Sequence, residues 1–82
     1  MDIKEWLITW FEEKSDVVRS ELDTSANYLE KSWIDSLKFV EFISAIEAQF
    51  DLTFSNDEFH DRSFSTIDGL ARIIQRKIDA QG

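Results

Sequence analysis

The sequence predicts an all-α fold, a bundle of three main helices plus one short helix with a long first loop. Apolar residues recur every three or four positions in three separate segments, which is typical of amphipathic helices. Proline is absent and glycine occurs only twice, so no strong helix breaker interrupts these segments. The length of 82 residues allows one core, and we therefore assign residues 1–82 to a single domain.

The first helix is predicted at about residues 2–14, and the loop that follows it at residues 15–34. The helix shows apolar residues at helical spacing, whereas the loop loses that periodicity and is rich in serine, aspartate and asparagine. A loop this long in a small domain is typical of a functional segment or of one packed by its own side chains. The apolar loop residues that we expect to hold it to the core are Val17, Val18, Leu22, Ala26, Tyr28 and Leu29.

The second helix is the clearest element of the sequence. Asp35 is a good N-cap, because its carboxylate can accept a backbone N–H from the first turn. Leu37 and Val40 fall at the edge of the apolar stripe and flank a more polar face. The stripe comprises Phe39, Phe42, Ile43, Ile46 and Phe50, and the polar face carries Glu41, Ser44 and Glu47.

Two further helices are predicted after a short extended connection at residues 51–54. Ser55 or Asn56 can cap a short helix that ends near residue 61. The last helix is expected to begin at Ser65 or Thr66, where Ser65 and Asp68 are spaced almost as a capping box. Its predicted buried stripe comprises Ile67, Leu70, Ala71, Ile74 and Ile78.

The charge of the chain restricts its partners. Acidic side chains outnumber basic ones by 17 to 9, for a formal net charge of −8, and the acidic excess belongs to residues 1–61. Such a chain lacks the positively charged surface that displaces counterions from nucleic acid or from an anionic membrane. We therefore expect no nucleic acid and no membrane as partner, and protein partners that present lysine and arginine.

Several kinds of chemistry are disfavoured by composition. Cysteine is absent, which excludes disulfides, thiolate catalysis and thiolate-bound zinc. His60 is the only histidine, and Gly69 and Gly82 are isolated, so neither a metal site nor a glycine-rich phosphate loop is present. We expect no catalytic residues and no metal ligands. The apolar runs are too short to span a bilayer and the N-terminus lacks an apolar signal core, so a cytoplasmic location is expected.

One hydroxyl has a position suited to phosphate chemistry. Ser36 follows the cap residue Asp35 and should stand at the positive end of the dipole of the second helix. A phosphate attached there would lie near backbone N–H groups that lack partners within the helix. These residues also suit an ordinary helix start, so the position permits a phosphoryl group without requiring one.

The segment around Ser36 resembles the attachment motif of acyl carrier proteins. Asp35-Ser36-Leu37 opens the predicted helix and Val40-Glu41-Phe42 follows it, as in that family, where the serine carries 4′-phosphopantetheine in a phosphodiester. The resemblance extends over nearly the whole chain. Further matching positions are Ile3, Leu7, Trp10 and Phe11 in the first helix, Tyr28 in the loop, Phe50, Asp51 and Phe54 after the second helix, and Thr66–Leu70 at the start of the last.

This resemblance implies a discrete acyl carrier protein with 4′-phosphopantetheine, derived from coenzyme A, covalently attached to Ser36. The distal thiol of that arm would hold acyl intermediates as thioesters for fatty-acid, polyketide or other specialised acyl-chain biosynthesis. The implied partners are a phosphopantetheinyl transferase, an acyl-loading ligase or transferase, and ketosynthase-type or acyltransferase enzymes, with the carrier itself a monomer and not an enzyme. The apolar interior, including Phe39, Phe42, Ile46 and Phe54, either shelters part of an acyl chain or simply fills the core.

Recognition by those partners is expected to use the surface around the second helix. The expected recognition residues are Trp33, Asp35, Leu37, Lys38, Val40, Glu41 and Glu47. Lys38 departs from the family, which is commonly acidic there, and we expect it to select against the commonest basic partner surfaces. Trp33 departs as well, and it either packs on the loop or stands beside the arm as a docking anchor. Ser32 also stands where the family usually has a small or apolar residue.

Two alternatives remain at this point. A peptidyl, aminoacyl or D-alanyl carrier protein would use the same arm for a different cargo. An unmodified helical interaction module would never carry the arm at all.

Overall fold

Four α-helices and two short 3₁₀ helices make up the part of the chain that the structure, a computed structural model, describes: residues 2–15 and 17–81. The α-helices are α1 (Ile3–Lys14), α2 (Ser36–Phe50), α3 (Asn56–Phe59) and α4 (Ile67–Gln81). The predicted all-α bundle with one short helix and a long first loop is therefore confirmed. The 3₁₀ helices, Arg19–Glu21 and Arg62–Ser65, were not predicted. Met1, Asp16 and Gly82, part of the predicted domain 1–82, lie outside the described residues.

The helix starts are fixed by side-chain caps. Asp35 accepts a hydrogen bond from the backbone N–H of Lys38 at 2.8 Å, which confirms it as the N-cap of α2. Ser55 and Glu58 form a full capping box at the start of α3. At α4 the cap is the Thr66 hydroxyl, which accepts from the N–H of Gly69 at 2.9 Å. Of the two starts predicted for α4, Thr66 is therefore the one used.

The core is mainly aromatic where α1, α2 and the first loop meet. The Phe42 ring lies 4.5 Å from the ring of Trp10, 5.1 Å from that of Phe11 and 5.9 Å from that of Tyr28, measured between centroids. α4 closes the core with buried aliphatic side chains, among them Ile73, which the predicted stripe omitted. The other buried side chains of α4 are Ile67, Leu70 and Ile74, with Ala71 and Ile78 partly buried beside them.

The long first loop is held by Tyr28 rather than by all of its apolar residues. Tyr28 is fully buried, and its hydroxyl donates to the Phe64 carbonyl at 2.5 Å. Burial of the phenol in this apolar setting raises the pKa of Tyr28 above its usual range. Val18 and Leu29, which were expected to help, are 54% and 40% exposed, so for these two residues the prediction was wrong. The buried Tyr28 side chain and the backbone hydrogen bonds beside it already hold the loop, so Val18 and Leu29 need not be buried.

Backbone contacts then bring the loop against the start of α4. The N–H of Tyr28 donates to the Ser65 carbonyl at 3.0 Å, and the N–H of Asp68 donates to the Thr24 carbonyl at 3.0 Å. The Asp68 carboxylate also accepts from Lys4 of α1 at 2.8 Å, an interaction that lowers the pKa of Asp68. Three parts of the chain thus meet at the first turn of α4.

The second 3₁₀ helix packs closely on α4. A Cβ atom on Gly69 would lie 2.1 Å from the Ser63 carbonyl oxygen, so only glycine allows this approach. The same turn buries Phe64 against Phe54 and Phe59. At the C-terminal end of α2, the rings of Trp6 and Phe50 contact each other edge to face, with their centroids 5.4 Å apart.

Within residues 2–15 and 17–81, no helix has the length and apolar character needed to cross a membrane.

Candidate functional site

Ser36 is the first residue of α2 and its side chain is exposed. Asp35 precedes the helix in an extended conformation. Its carboxylate accepts a hydrogen bond from the N–H of Lys38, and its backbone carbonyl accepts one from the N–H of Phe39 at 2.8 Å. Over the described residues, the N–H groups of Ser36 and Leu37 have no acceptor. The Ser36 hydroxyl therefore stands in solvent beside two free donors at the positive end of a 15-residue helix.

Two exposed apolar side chains follow Ser36 on the same helix. Leu37 is 73% exposed and Val40 is 60% exposed, which makes them the most exposed large apolar side chains in the described parts of the chain. They are three residues apart, so they are neighbours on the helix surface. The predicted apolar edge of α2 is thus present as a small exposed patch next to the hydroxyl.

The predicted charges of this surface have different environments. Lys38 and Glu41 form an ion pair at 3.2 Å along the helix, so each partly neutralises the other. Glu47, by contrast, is partly buried, and its carboxylate accepts from the backbone N–H of Phe54 at 3.0 Å. Glu47 therefore lies on α2 as predicted but bonds to the segment that follows the helix. Of the acids expected in recognition, Asp35 and Glu41 are the exposed ones near Ser36.

Comparison with known families agrees with this arrangement. The family model described as the phosphopantetheine attachment site matches residues 5–74, most of the chain. The chain belongs to this family. No curated protein and no solved structure gives a significant match.

Domains of this family bear a covalently attached 4′-phosphopantetheine, and they interact with the phosphopantetheinyl transferases that attach it and with biosynthetic enzymes. The match includes most of α1, the first loop, all of α2 and α3, and α4 as far as Ile74. It thus contains the elements that position Ser36, together with the loop that Tyr28 anchors.

The residues at the start of α2 fit such a prosthetic group. An exposed hydroxyl is needed to form the phosphodiester, and Ser36 supplies one. A phosphate there carries negative charge, which free backbone N–H groups and the helix dipole stabilise. The Asp35 carboxylate is held by the N–H of Lys38 and so has a fixed place beside the hydroxyl.

Trp33 is half-buried. It was expected either to pack on the loop or to stand beside the arm, and its position is intermediate between the two. Its ring packs against the core, and its backbone N–H donates to the Tyr28 carbonyl at 3.1 Å. Its own carbonyl accepts from the Ser15 hydroxyl at 2.7 Å, which ties the end of α1 to the approach to α2. Trp33 is also one of the residues that line a surface groove near Ser36.

The interior behind Ser36 is occupied by aromatic rings. Phe39 is half-buried, with ring centroids 6.3 Å from Tyr28 and 6.1 Å from Phe64. Phe42, Ile46 and Phe54 are buried. An acyl chain that entered between these helices would have to displace side chains that now contact one another.

Other chemistry has little support in the described residues. Across residues 2–15 and 17–81 no group of histidine and acidic side chains could hold a metal ion. His60 is exposed at the C-terminal end of α3. Glu58 has a structural role, because it completes a capping box and accepts from Lys77 at 2.9 Å.

Proposed function

We propose that the chain is an acyl carrier protein, a single carrier domain over residues 1–82 with 4′-phosphopantetheine attached to Ser36. The proposal is carried by one observation: within a chain of the phosphopantetheine-attachment family, an exposed serine begins the helix that Asp35 caps. The domain would hold acyl intermediates as thioesters and would not itself be an enzyme.

The chain contributes an acceptor hydroxyl and a favourable field. The Ser36 oxygen would form the new bond to the phosphorus next to pantetheine and lose its proton, while a P–O bond of the coenzyme A pyrophosphate breaks and adenosine 3′,5′-bisphosphate leaves. The free N–H groups of Ser36 and Leu37, at the same end of α2, would stabilise the charge of the phosphodiester. When bound, the prosthetic group supplies the thiol that carries the cargo, and the chain has no cysteine that would compete with it.

Partner enzymes would dock beside Ser36 on α2. Leu37 and Val40 offer apolar contact, and Asp35 and Glu41 offer negative charge to lysine and arginine on the partner. The partners would be a phosphopantetheinyl transferase, a loading ligase or transferase, and ketosynthase-type or acyltransferase enzymes. The net charge of −8 favours acyl cargo over aminoacyl cargo.

Attachment is tested by intact mass after incubation with coenzyme A and a broad-specificity phosphopantetheinyl transferase. The wild-type chain should gain one prosthetic group, and Ser36→Ala should gain none while keeping its helical circular-dichroism spectrum. Ser44→Ala removes another exposed serine of α2 and serves as the matched control, which should be modified like wild type. A wild-type chain that is never modified, or a Ser36→Ala chain that is, would show that the assignment is wrong. The former result would favour an unmodified interaction module.

Cargo is tested on the modified protein with a panel of acyl, aminoacyl and D-alanyl ligases. Thioester formation with fatty or other carboxylic acids supports the acyl assignment. Loading by aminoacyl or D-alanyl ligases alone would assign the carrier to the other class.

Docking is tested by charge reversal at two positions of α2. Glu41→Lys changes an exposed charge and should slow association with the transferase and flatten its salt dependence, with little effect on stability. Glu47→Lys also removes the acceptor of the Phe54 N–H, so it should lower stability as well. If Glu41→Lys associates normally with the transferase, this face of α2 is not part of the docking surface.

The role of Lys38 is tested separately. Lys38→Glu should improve turnover by a generic fatty-acid synthase enzyme if Lys38 selects against basic partners, and an unchanged rate would exclude that role.

A further inference from the structure

A polar surface groove lies beside the attachment serine, on the side where α1 ends. It has a volume of about 360 Å³, within the range of small-molecule sites. The residues that line it come from the end of α1, the end of the first loop and the start of α2. They are Lys14, Ser15, Ser32, Trp33, Ile34, Asp35 and Lys38.

Lysine side chains line part of this groove in a strongly acidic protein. Lys14 and Lys38 line it together with the acid Asp35, and Lys38 is ion-paired with Glu41 at 3.2 Å. One oxygen of that carboxylate already accepts the backbone N–H of Lys38. Over the residues that the structure describes, no carboxylate lies within ion-pairing distance of Lys14. Among the described residues, the Lys14 ammonium is therefore left to donate hydrogen bonds to a ligand that lies in the groove.

The groove also offers hydrogen-bonding groups next to an apolar surface. The Ser32 hydroxyl makes no hydrogen bond with any described residue. The Ser15 hydroxyl donates to the Trp33 carbonyl and keeps its capacity to accept. Trp33 and Ile34 supply the apolar part of the wall. This combination suits a flexible chain that bears amides, a hydroxyl and a small aliphatic group.

Ser36 lies between two residues of the groove. Asp35 and Lys38 both line it, and they are joined by the cap hydrogen bond within the first turn of α2. Ser36 directly follows Asp35, so its hydroxyl adjoins the edge of the groove, although Ser36 does not line it. A chain attached to that oxygen through a phosphate can reach the groove without any change in the backbone.

We propose that this groove is the resting site of the pantetheine part of the prosthetic group when no enzyme is bound. The inference rests on the proposed function, because it needs the arm on Ser36. Lys14 would donate to the amide carbonyls, Ser15 and Ser32 would hydrogen-bond the amides and the hydroxyl, and Trp33 would contact the aliphatic part. The resting arm would then lie outside the aromatic interior, and an enzyme that takes the cargo would draw it out of the groove.

The test compares amide resonances of the ¹⁵N-labelled chain before and after modification, with intact mass used to confirm that the prosthetic group is attached. Attachment should shift the backbone resonances of Lys14, Ser15, Ser32 and Trp33 and the indole N–H resonance of Trp33, in addition to those next to Ser36. Lys14→Gln should at least halve the shifts at Ser15 and Trp33.

Lys31→Gln is the matched control, because Lys31 is an exposed lysine of the first loop, next to Ser32, that does not line the groove. It should leave the shifts at Ser15 and Trp33 unchanged. If the modified protein shows changes only within residues 35–38, or if the two lysine variants behave alike, the groove is not the resting site. If no prosthetic group is attached at all, the proposed function itself fails, so the two failures are distinct.

Discussion

Tyr28→Phe is expected to remove one buried hydrogen bond and little else. The ring can keep its contacts with Phe11 at 5.5 Å and Phe42 at 5.9 Å, because phenylalanine has the same ring. The variant loses the bond from the hydroxyl to the Phe64 carbonyl, which spans 36 positions in the sequence. A buried carbonyl left without its donor costs about 1–3 kcal/mol of unfolding free energy. In a domain of this size, 1 kcal/mol corresponds to about 4–8 °C in melting temperature.

The same variant makes a prediction about pH. Burial raises the pKa of Tyr28 in the native state, whereas an unfolded tyrosine titrates near its ordinary value of about 10. Above that pH the native chain keeps a proton that the unfolded chain has lost. The contribution of Tyr28 to stability therefore falls with rising pH, by about 1.4 kcal/mol per pH unit until the native pKa is reached. Tyr28→Phe lacks this dependence, so its deficit relative to wild type should shrink in alkali.

Urea unfolding of both proteins at neutral pH and at about pH 11 measures the two effects. Tyr28 is the only tyrosine, so the near-ultraviolet absorbance of tyrosinate reports its ionisation without interference from another phenol. The absorbance should rise together with the loss of helical signal. Ser44→Ala, which deletes an exposed hydroxyl, is the control and should change stability by less than about 0.5 kcal/mol. Equal stability of Tyr28→Phe and wild type at neutral pH, or ionisation of Tyr28 in the folded protein near its ordinary pKa, would refute this reasoning.

Three further outcomes are expected. Gly69→Ala places a Cβ atom 2.1 Å from the Ser63 carbonyl oxygen and should cost about 3 kcal/mol in urea unfolding; a loss under about 1 kcal/mol would show that the two segments separate easily. Ser32 and Asp51 have φ of 58° and 54°, so Ser32→Gly and Asp51→Gly should each raise the unfolding free energy by up to about 1 kcal/mol, and a decrease in both would contradict a strain at these positions. Moderate salt should raise the melting temperature by screening the net charge of −8, and a lower melting temperature across a salt series would argue against self-repulsion.

Local pattern was sufficient to predict the main helices. The stripe of α2 and the cap at Asp35 lie within 16 residues of sequence, so the start and the buried face of the helix follow from neighbours. The exposure of Leu37 and Val40 also follows, because a helix that buries one face must present its edges to solvent. The resemblance of the same segment to a family motif then identified Ser36 as the candidate attachment residue.

Contacts that depend on how the chain turns and how the helices pack could not be predicted from local pattern. Glu47 lies on the polar face of α2, but the chain turns back after Asp51 and brings the N–H of Phe54 to its carboxylate. Asp68 had been interpreted as part of a local cap, whereas its carboxylate bonds to Lys4 and Thr24, which are far away in the sequence. Such partners depend on how the helices pack, and spacing along the chain does not encode them.

The cap of α4 illustrates a smaller ambiguity. Ser65 and Thr66 are adjacent hydroxyl residues, and either could accept the N–H of the first turn. Ser65 belongs instead to the second 3₁₀ helix, and its carbonyl accepts from Tyr28 in the first loop. A long-range bond therefore selects between two locally similar caps.

The positions of the three tryptophans give the chain three separate optical reporters. Trp10 is buried against Phe42 in the core, so its emission should follow global unfolding. Trp6 meets Phe50 at the far end of α2 and should report fraying of that end of the bundle. Trp33 is half-buried and lines the groove near Ser36, so its emission should change if the proposed arm occupies that groove. Variants that keep one indole at a time would let folding, fraying and the proposed occupancy of the groove each be followed by fluorescence without an added label.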